Sequence, residues 1–320
     1  MTTGRLYPIS PSKLSTWLDC PRRFFLQYVE RQRVSGSWAH LSMGNAIHNA
    51  LRGWFDDPMA PRTQEHAQAL IREHWQSTGF RDGEQSTQWR NAAAGMMWAY
   101  LSGLAPGFKP HSLERSFAAR APGVALNGRI DRIDHAVAGG AGKSEALVVV
   151  DYKTGKRILT SDDARGSIAL AIYAVCVEQS LRRPCTRVEL HHIPSGVIAA
   201  HEYDRQTLER QVGRVVQIAG EMAQAEEDQR AGAGLDEVFP PRPSPLCGWC
   251  DFRDRCPEGA ASASKKDPWS GLPVADDEAS CPPDCIRDEA PLPACPDDDK
   301  HAYVYAKSSS IQYGHGDTVE

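Results

Sequence analysis

The sequence predicts an α/β fold: a central mixed sheet flanked by helices, an extra helical segment ahead of the sheet, and a four-cysteine clasp joining the two ends. Three observations carry this expectation. Residues 112–154 read as strands and condense into the unbroken apolar run Leu147–Val150, which marks a central strand covered on both faces. Segments before and after it place apolar residues at helical spacing. Cys20, near the start, has potential partners in Cys247, Cys250 and Cys256 of the run C-G-W-C-D-F-R-D-R-C-P.

The elements follow in order. Residues 10–29 open with Ser10 as N-cap and Pro11 at the first helical position, then carry Leu14, Trp17 and Leu18 on one stripe. Cys20 ends that helix and Pro21 marks a break or a fresh start. A helix over 41–56 has Ile47, Ala50, Leu51, Trp54 and Phe55 on its apolar face with His48 beside it. Helical patterns at 63–76 and 86–104 make residues 57–105 a helical insertion. Strands start near Ser112 and run through 124–136 and 145–154, with the glycine-rich A-G-G-A-G-K turn between the last two. A helix over 162–181, a strand pair within 187–203 and a long amphipathic helix over 205–230 complete the fold. Pro240, Pro241, Pro243 and Pro245 then lead into the cysteine run. The folded unit is expected to span 1–259, leaving 260–320 as an acidic, Pro-rich, disordered tail, too poor in aromatics to offset its ordering entropy.

The net charge of −5 hides an uneven distribution: beyond residue 256 there are 13 acids against 5 bases, leaving 28 acids against 31 bases before it. A mildly basic folded part suits a nucleic-acid partner. No run approaches the roughly 18 apolar residues that span a bilayer, and the N-terminus lacks an apolar signal stretch, so a cytoplasmic location is expected. Nine cysteines in a chain this long, three of them at ligand spacing, fit a reducing compartment and metal chemistry better than a disulfide framework. One C-x-x-C knuckle joined by a lone downstream cysteine and a remote partner favours an iron-sulfur cluster over a zinc ribbon, which presents two close knuckles. Cys176 and Cys185 read as plain thiols, and so do Cys281, Cys285 and Cys295.

Side chains alternate along a strand, so Asp151 and Lys153 share a face while Tyr152 points the other way. If 124–137 and 145–154 pair as a hairpin, a register centred near residue 141 sets Asp131 opposite Asp151. Opposed carboxylates need a shared proton or a bound cation, and His48 makes the cation the better choice. Oxygen ligands with one imidazole suit Mg²⁺ or Mn²⁺. Asp134 reads as an exposed strand residue paired with Arg129 or Arg132. The segment G-G-A-G-K-S at 139–144 mimics part of a phosphate-binding loop, but Val137 stands at its required first glycine and no strand-to-helix turn surrounds it, so no ATP site is expected.

The ordered motifs G-N-A-I-H (44–48), G-R-I-D-R-I-D (128–134) and D-Y-K-T-G-K (151–156), with Tyr173 downstream, resemble the RecB-type branch of the PD-(D/E)XK nucleases. The four cysteines match its iron-sulfur subgroup, similar to the AddB nuclease domain and the CRISPR-associated RecB-like exonucleases, over about residues 10–257. The resemblance implies a restriction-endonuclease-like core and a DNA exonuclease acting on single strands or ends in repair or recombination, with a helicase as partner in trans. It implies that His48, Asp131, Asp151 and the backbone carbonyl of Tyr152 hold Mg²⁺ or Mn²⁺. Lys153 would orient the attacking water and stabilise charge on the phosphate, with Tyr173 beside it and Glu114 in the outer shell. Cys20, Cys247, Cys250 and Cys256 would hold a 4Fe-4S cluster. The family pattern has glutamine four residues before the tyrosine, and Ala169 stands there, so a weakly active or inactive DNA-binding adaptor of the same fold is the alternative. An electron-transfer protein would have no need of Asp131, Asp151 and Lys153.

Overall fold

The chain enters the fold through a strand that periodicity does not signal, β1 (Tyr7–Ile9), too short to show alternation. The computed structural model describes residues 6–33, 38–136 and 146–272, all within one unit, Met1–Pro273. Ser10 caps α1 (Pro11–Asp19) by accepting from the Lys13 N–H at 3.3 Å, and Cys20 closes it in extended backbone. Pro21 starts afresh with α2 (Pro21–Phe24), which runs into a π-helical turn over Phe25–Val29.

Three helices form the segment ahead of the main strands: α3 (Ala39–Asp56), α4 (Gln64–His74) and α5 (Gly83–Ser102). Thr63 and Asp82 cap the latter two, each accepting a backbone N–H three residues on. On α3 the predicted stripe is the buried one, with Ile47, Ala50 and Leu51 sealed from solvent. Each fully buried Ile or Leu side chain contributes on the order of 1.5–3 kcal/mol.

The sheet consists of β1, β2 (Ser112–Ala121), β3 (Val124–His135), β4 (Leu147–Lys153), β5 (Arg187–His192) and β6 (Val197–Glu202). Its order is β1-β3-β4-β5-β6, with β2 also paired to β3. The sheet is mixed: β1–β3 and β4–β5 are parallel, the other pairs antiparallel. Since β2 covers β3 over Val124–Ile133, β1 and β4 share the opposite edge, β1 at Val124–Leu126 and β4 at Arg132–His135. Strand β4 is central, as its apolar run predicts, and every residue from Leu147 to Tyr152 is buried.

The expected helix over 162–181 is two helices, α6 (Ser161–Gly166) and α7 (Ile168–Leu181). Ser167 leaves helical backbone and caps α7 by accepting from the Leu170 N–H at 3.2 Å, so Gly166-Ser167 acts as stop and start. Helix α8 (Arg205–Arg230) matches its predicted bounds and is followed by the short α9 (Leu235–Val238). Of the C-terminal cysteines, Cys247 lies in a 3₁₀ turn, Pro245–Trp249, and Cys250 caps its end; Cys256 ends a second turn, Arg253–Arg255, and caps the start of α10 (Pro257–Ser262).

The expected tail boundary at 259 falls inside this last helix. Beyond it the Lys266 N–H donates to the Gly248 carbonyl at 2.9 Å, the Ala39 N–H donates to the Pro268 carbonyl at 3.0 Å, and Leu272 is buried. Those bonds hold 263–272 against the cysteine segment and the start of α3, long-range contacts that composition does not reveal. The segment 139–144 and Cys281, Cys285 and Cys295 lie outside the described residues.

Candidate active site

The β3–β4 ladder pairs Arg132 with Val150 and Ile133 with Val149, so Asp131 and Asp151 stand opposite one another one step beyond the last pair, as the hairpin register predicts. The Tyr152 N–H donates to Asp131 Oδ2 at 2.8 Å, and Asp151 forms an ion pair with Lys153 on its own face. On the other side of β3, Leu113 pairs with Arg132 and Arg115 with Ile130, which puts Glu114 opposite Asp131. Glu114 drops out of the ladder with φ of +45°, a left-handed conformation that a residue with a Cβ holds only at a cost of about 1–3 kcal/mol.

Helix α3 supplies His48, whose Nδ1 lies 3.4 Å from Asp131 Oδ1 and 3.9 Å from Glu114 Oε1. Its ring stands edge-on to Tyr152, centroids 5.6 Å apart. Donor atoms of His48, Glu114 and Asp131 all lie within 4.8 Å of one another, a candidate site for a metal ion. This trio shares His48 and Asp131 with the ligand set the resemblance implies. Glu114, expected in the outer shell, joins it, while Asp151 turns toward the ammonium of Lys153.

The electrostatics favour a cation. Burial pushes the Asp151 carboxyl up against the pull of Lys153, and the charge of Asp131 pushes it further. Glu114 is raised by burial and then by Asp131. For His48 burial opposes the charged form, yet Asp131, Asp151 and Glu114 together raise its pKa. Three acids around one imidazole leave an excess of negative charge that a divalent ion would neutralise.

Tyr173, on α7, closes the site from the helix side. A Cβ on Gly128 would overlap its ring, so the glycine of G-R-I-D provides the space in which Tyr173 packs over β3. Burial raises the Tyr173 pKa, followed by the charges of Asp151 and Asp131. Ala169 lies one turn earlier on the same helix face, half-buried.

Residues 8–257 match the profile of the PD-(D/E)XK nuclease superfamily. The chain belongs to that superfamily. No curated protein matches it. Among solved structures it is similar to one from Eubacterium rectale described as a "Putative exonuclease", at 10% identity and TM-score 0.43, over 69% of this chain and 82% of that one. It is also similar to a structure described as "SSO0001", at 14% identity and TM-score 0.34, over 81% of this chain and 90% of that one. As a PD-(D/E)XK protein it has the mixed, helix-flanked sheet and an acidic site suited to a divalent metal.

Behind the acids of this PD-(D/E)XK site lies a buried network that sequence reasoning missed. Arg132 is 2% exposed. Its Nε and Nη2 donate to Asp134 Oδ2 at 3.1 and 2.9 Å, and its Nη1 donates to the hydroxyls of Tyr100 at 2.8 Å and Tyr152 at 3.1 Å. The Tyr100 hydroxyl lies 2.7 Å from His191 Nδ1, and His191 Nε2 lies 2.8 Å from Glu189. Asp134 is therefore a buried partner of Arg132, not an exposed strand residue; Arg129 bonds to Glu114 instead. Burial carries the Asp134 carboxyl up to about 6 despite Arg132. The network grips the Tyr152 side chain, and the Tyr152 N–H in turn holds Asp131. The alternation R-I-D-R-I-D was the available signal, since Arg132 and Asp134 share the face opposite Asp131.

Away from the acids, Cys20, Cys247, Cys250 and Cys256 line one small cavity of about 40 Å³ with Arg22, Arg23 and Gly259. Backbone N–H groups of Arg242, Ser244 and Gly259 donate to the sulfurs of Cys20, Cys247 and Cys256 at 3.4–3.5 Å. A Cβ on Gly259 would approach the Cys256 and Cys247 sulfurs to 3.3 and 3.6 Å, so the bare glycine leaves room beside them. Arg23 Nε is buried there with no hydrogen-bond partner. The other arginines near the cysteines are engaged locally: Arg22 with Asp236 and the Phe239 carbonyl, Arg253 with the Ala260 and Ala263 carbonyls, Arg255 with Gln32. Cys176 and Cys185 are buried thiols, raised to about 12 by burial.

Proposed function

We propose that this PD-(D/E)XK protein is a RecB-type DNA exonuclease, acting in the cytoplasm on single strands or DNA ends in repair or recombination. The observation that carries the reading is the convergence of His48, Glu114 and Asp131 within 4.8 Å of one another, beside the Asp151–Lys153 pair. His48 and Asp131 would hold a Mg²⁺ or Mn²⁺ ion, with Asp151 and the Tyr152 carbonyl completing the set and Glu114 as a further oxygen donor. The ion would supply Lewis acidity toward the phosphate and a more acidic bound water. Lys153, ion-paired with Asp151, would orient water and offset charge on the phosphate. Tyr173 shields the acids from the α7 side. A helicase in trans would present the strand.

We infer that the cysteine cavity would hold a 4Fe-4S cluster through Cys20, Cys247, Cys250 and Cys256. Three sulfurs already accept backbone N–H bonds, and Arg23 offers an unpartnered buried donor to an anionic group. The role of the cluster would be structural, tying α1 to the C-terminal turns. Ala169 on the site-facing side of α7 favours the second reading, an adaptor that binds DNA without cutting.

End-labelled single and double strands incubated with Mg²⁺ or Mn²⁺ test the enzyme. Metal-dependent shortening that disappears in Asp151→Ala and Lys153→Ala supports it, and binding without cleavage supports the adaptor. Anaerobic purification with visible absorbance and iron analysis tests the cluster, and a colourless, zinc-loaded protein would overturn it.

A further inference from the structure

A groove of about 880 Å³ opens between the end of α3, the end of α5 and the start of β2, at the large end of the ~300–1,000 Å³ of ordinary ligand pockets. Its walls combine aromatic rings, Phe55, Trp98 and Phe108, with the cations Arg62, Lys109 and Arg115. The acid in its lining, Asp56, is paired with Arg52 at 3.1 Å, so the cations set the charge of the groove.

Two connections tie the groove to the acid site. Arg115 follows Glu114 directly, and Phe55 lies seven residues along α3 from His48, roughly 10 Å at helical rise. The guanidinium of Arg132, next in sequence to Asp131, packs 5.8 Å from the Phe55 centroid and 5.0 Å from that of Phe108. The aromatic floor is thus built on the same buried arginine that braces the acid site.

We propose that this groove binds the single-stranded segment of the DNA substrate next to the cleavage site. A single strand exposes both of the features that the groove matches: base faces that stack on aromatic rings, and phosphates that pair with cations. A duplex hides its base faces. The proposal rests on the nuclease reading for its occupant, but strand binding is measurable without cleavage.

The test is fluorescence anisotropy with a labelled oligothymidylate of about 20 nucleotides, long enough to fill a typical site, in EDTA over a range of salt concentrations. Wild-type protein binds this strand more tightly than the matching duplex. The double variant Lys109→Gln/Arg115→Gln, changed at two exposed positions, binds more weakly, with a log–log salt slope shallower by about 1.4, at ~0.7 for each phosphate no longer neutralised. A second measurement needs no substitution: photocrosslinking of a 5-iodouracil strand to wild-type protein, mapped by mass spectrometry, labels Trp98 or Phe108. An unchanged salt slope, crosslinks confined to residues outside the groove, or equal affinity for duplex overturns the proposal. A protein that binds the strand in the groove but never shortens it in Mg²⁺ or Mn²⁺ overturns the nuclease reading and leaves the groove standing.

Discussion

The acid site and the cysteine cavity both gather residues from distant parts of the chain, but they are built from different materials. His48, Glu114, Asp131 and Asp151 project from α3 and three adjacent strands whose backbones are fixed by ladder hydrogen bonds. The cysteines sit at helix ends and in or beside 3₁₀ turns, where their backbone bonds are local, each reaching only three or four residues along the chain. At the first site the scaffold forces like charges together and tolerates the cost; at the second the side chains themselves, once they hold a common group, would secure the scaffold. Loss of a side chain should therefore harm chemistry at one site and stability at the other.

Arg132 tests that contrast hardest, because it belongs to the support of the acid site and not to its chemistry. Arg132→Met strands Asp134 and the hydroxyls of Tyr100 and Tyr152 in a buried setting, at a cost of about 3–5 kcal/mol read by denaturant unfolding. If that variant keeps both its stability and its metal-dependent cleavage, the acid site does not depend on the network. Next in size, Asp151→Asn is expected to slow cleavage by roughly 10²–10³-fold. Its melting temperature should stay equal or rise, since the variant removes a buried carboxylate that burial and Asp131 both disfavour in its charged form. A matching loss of stability would erase the distinction between the two sites. The smallest expected effect is that of Cys20→Ala in iron-replete protein, a loss of about 2–3 kcal/mol of unfolding free energy, with cleavage of the surviving folded fraction reduced less than in Asp151→Asn. An unchanged melting temperature would remove the cysteines from the scaffold.

Much of the acid site was readable because a β ladder has simple arithmetic. A hairpin centred on residue 141 sets 131 against 151, and period-2 alternation sets Asp151 and Lys153 on one face with Tyr152 on the other. Ser10, Pro11 and the apolar stripe of α3 likewise gave their helices away through local chemistry. Glu114 was harder, since a strand residue in left-handed backbone breaks the alternation from which its direction would be inferred. Asp134 and Arg132 looked like an exposed pair because their burial comes from Tyr100, 32 residues earlier than Arg132, and from the β5 neighbourhood of His191.

By itself the sequence determined the strand register around residue 141, the helix starts and the order of the nuclease motifs, because capping, alternation and spacing act between near neighbours. Only the tertiary structure decided that Glu114 joins His48 and Asp131, that Arg132 is buried beneath them, and that aromatic rings and cations form a groove alongside. Those facts depend on how α3, α5 and β2 pack against one another, and burial and charge proximity are properties of the assembled fold that no local stretch of chain encodes.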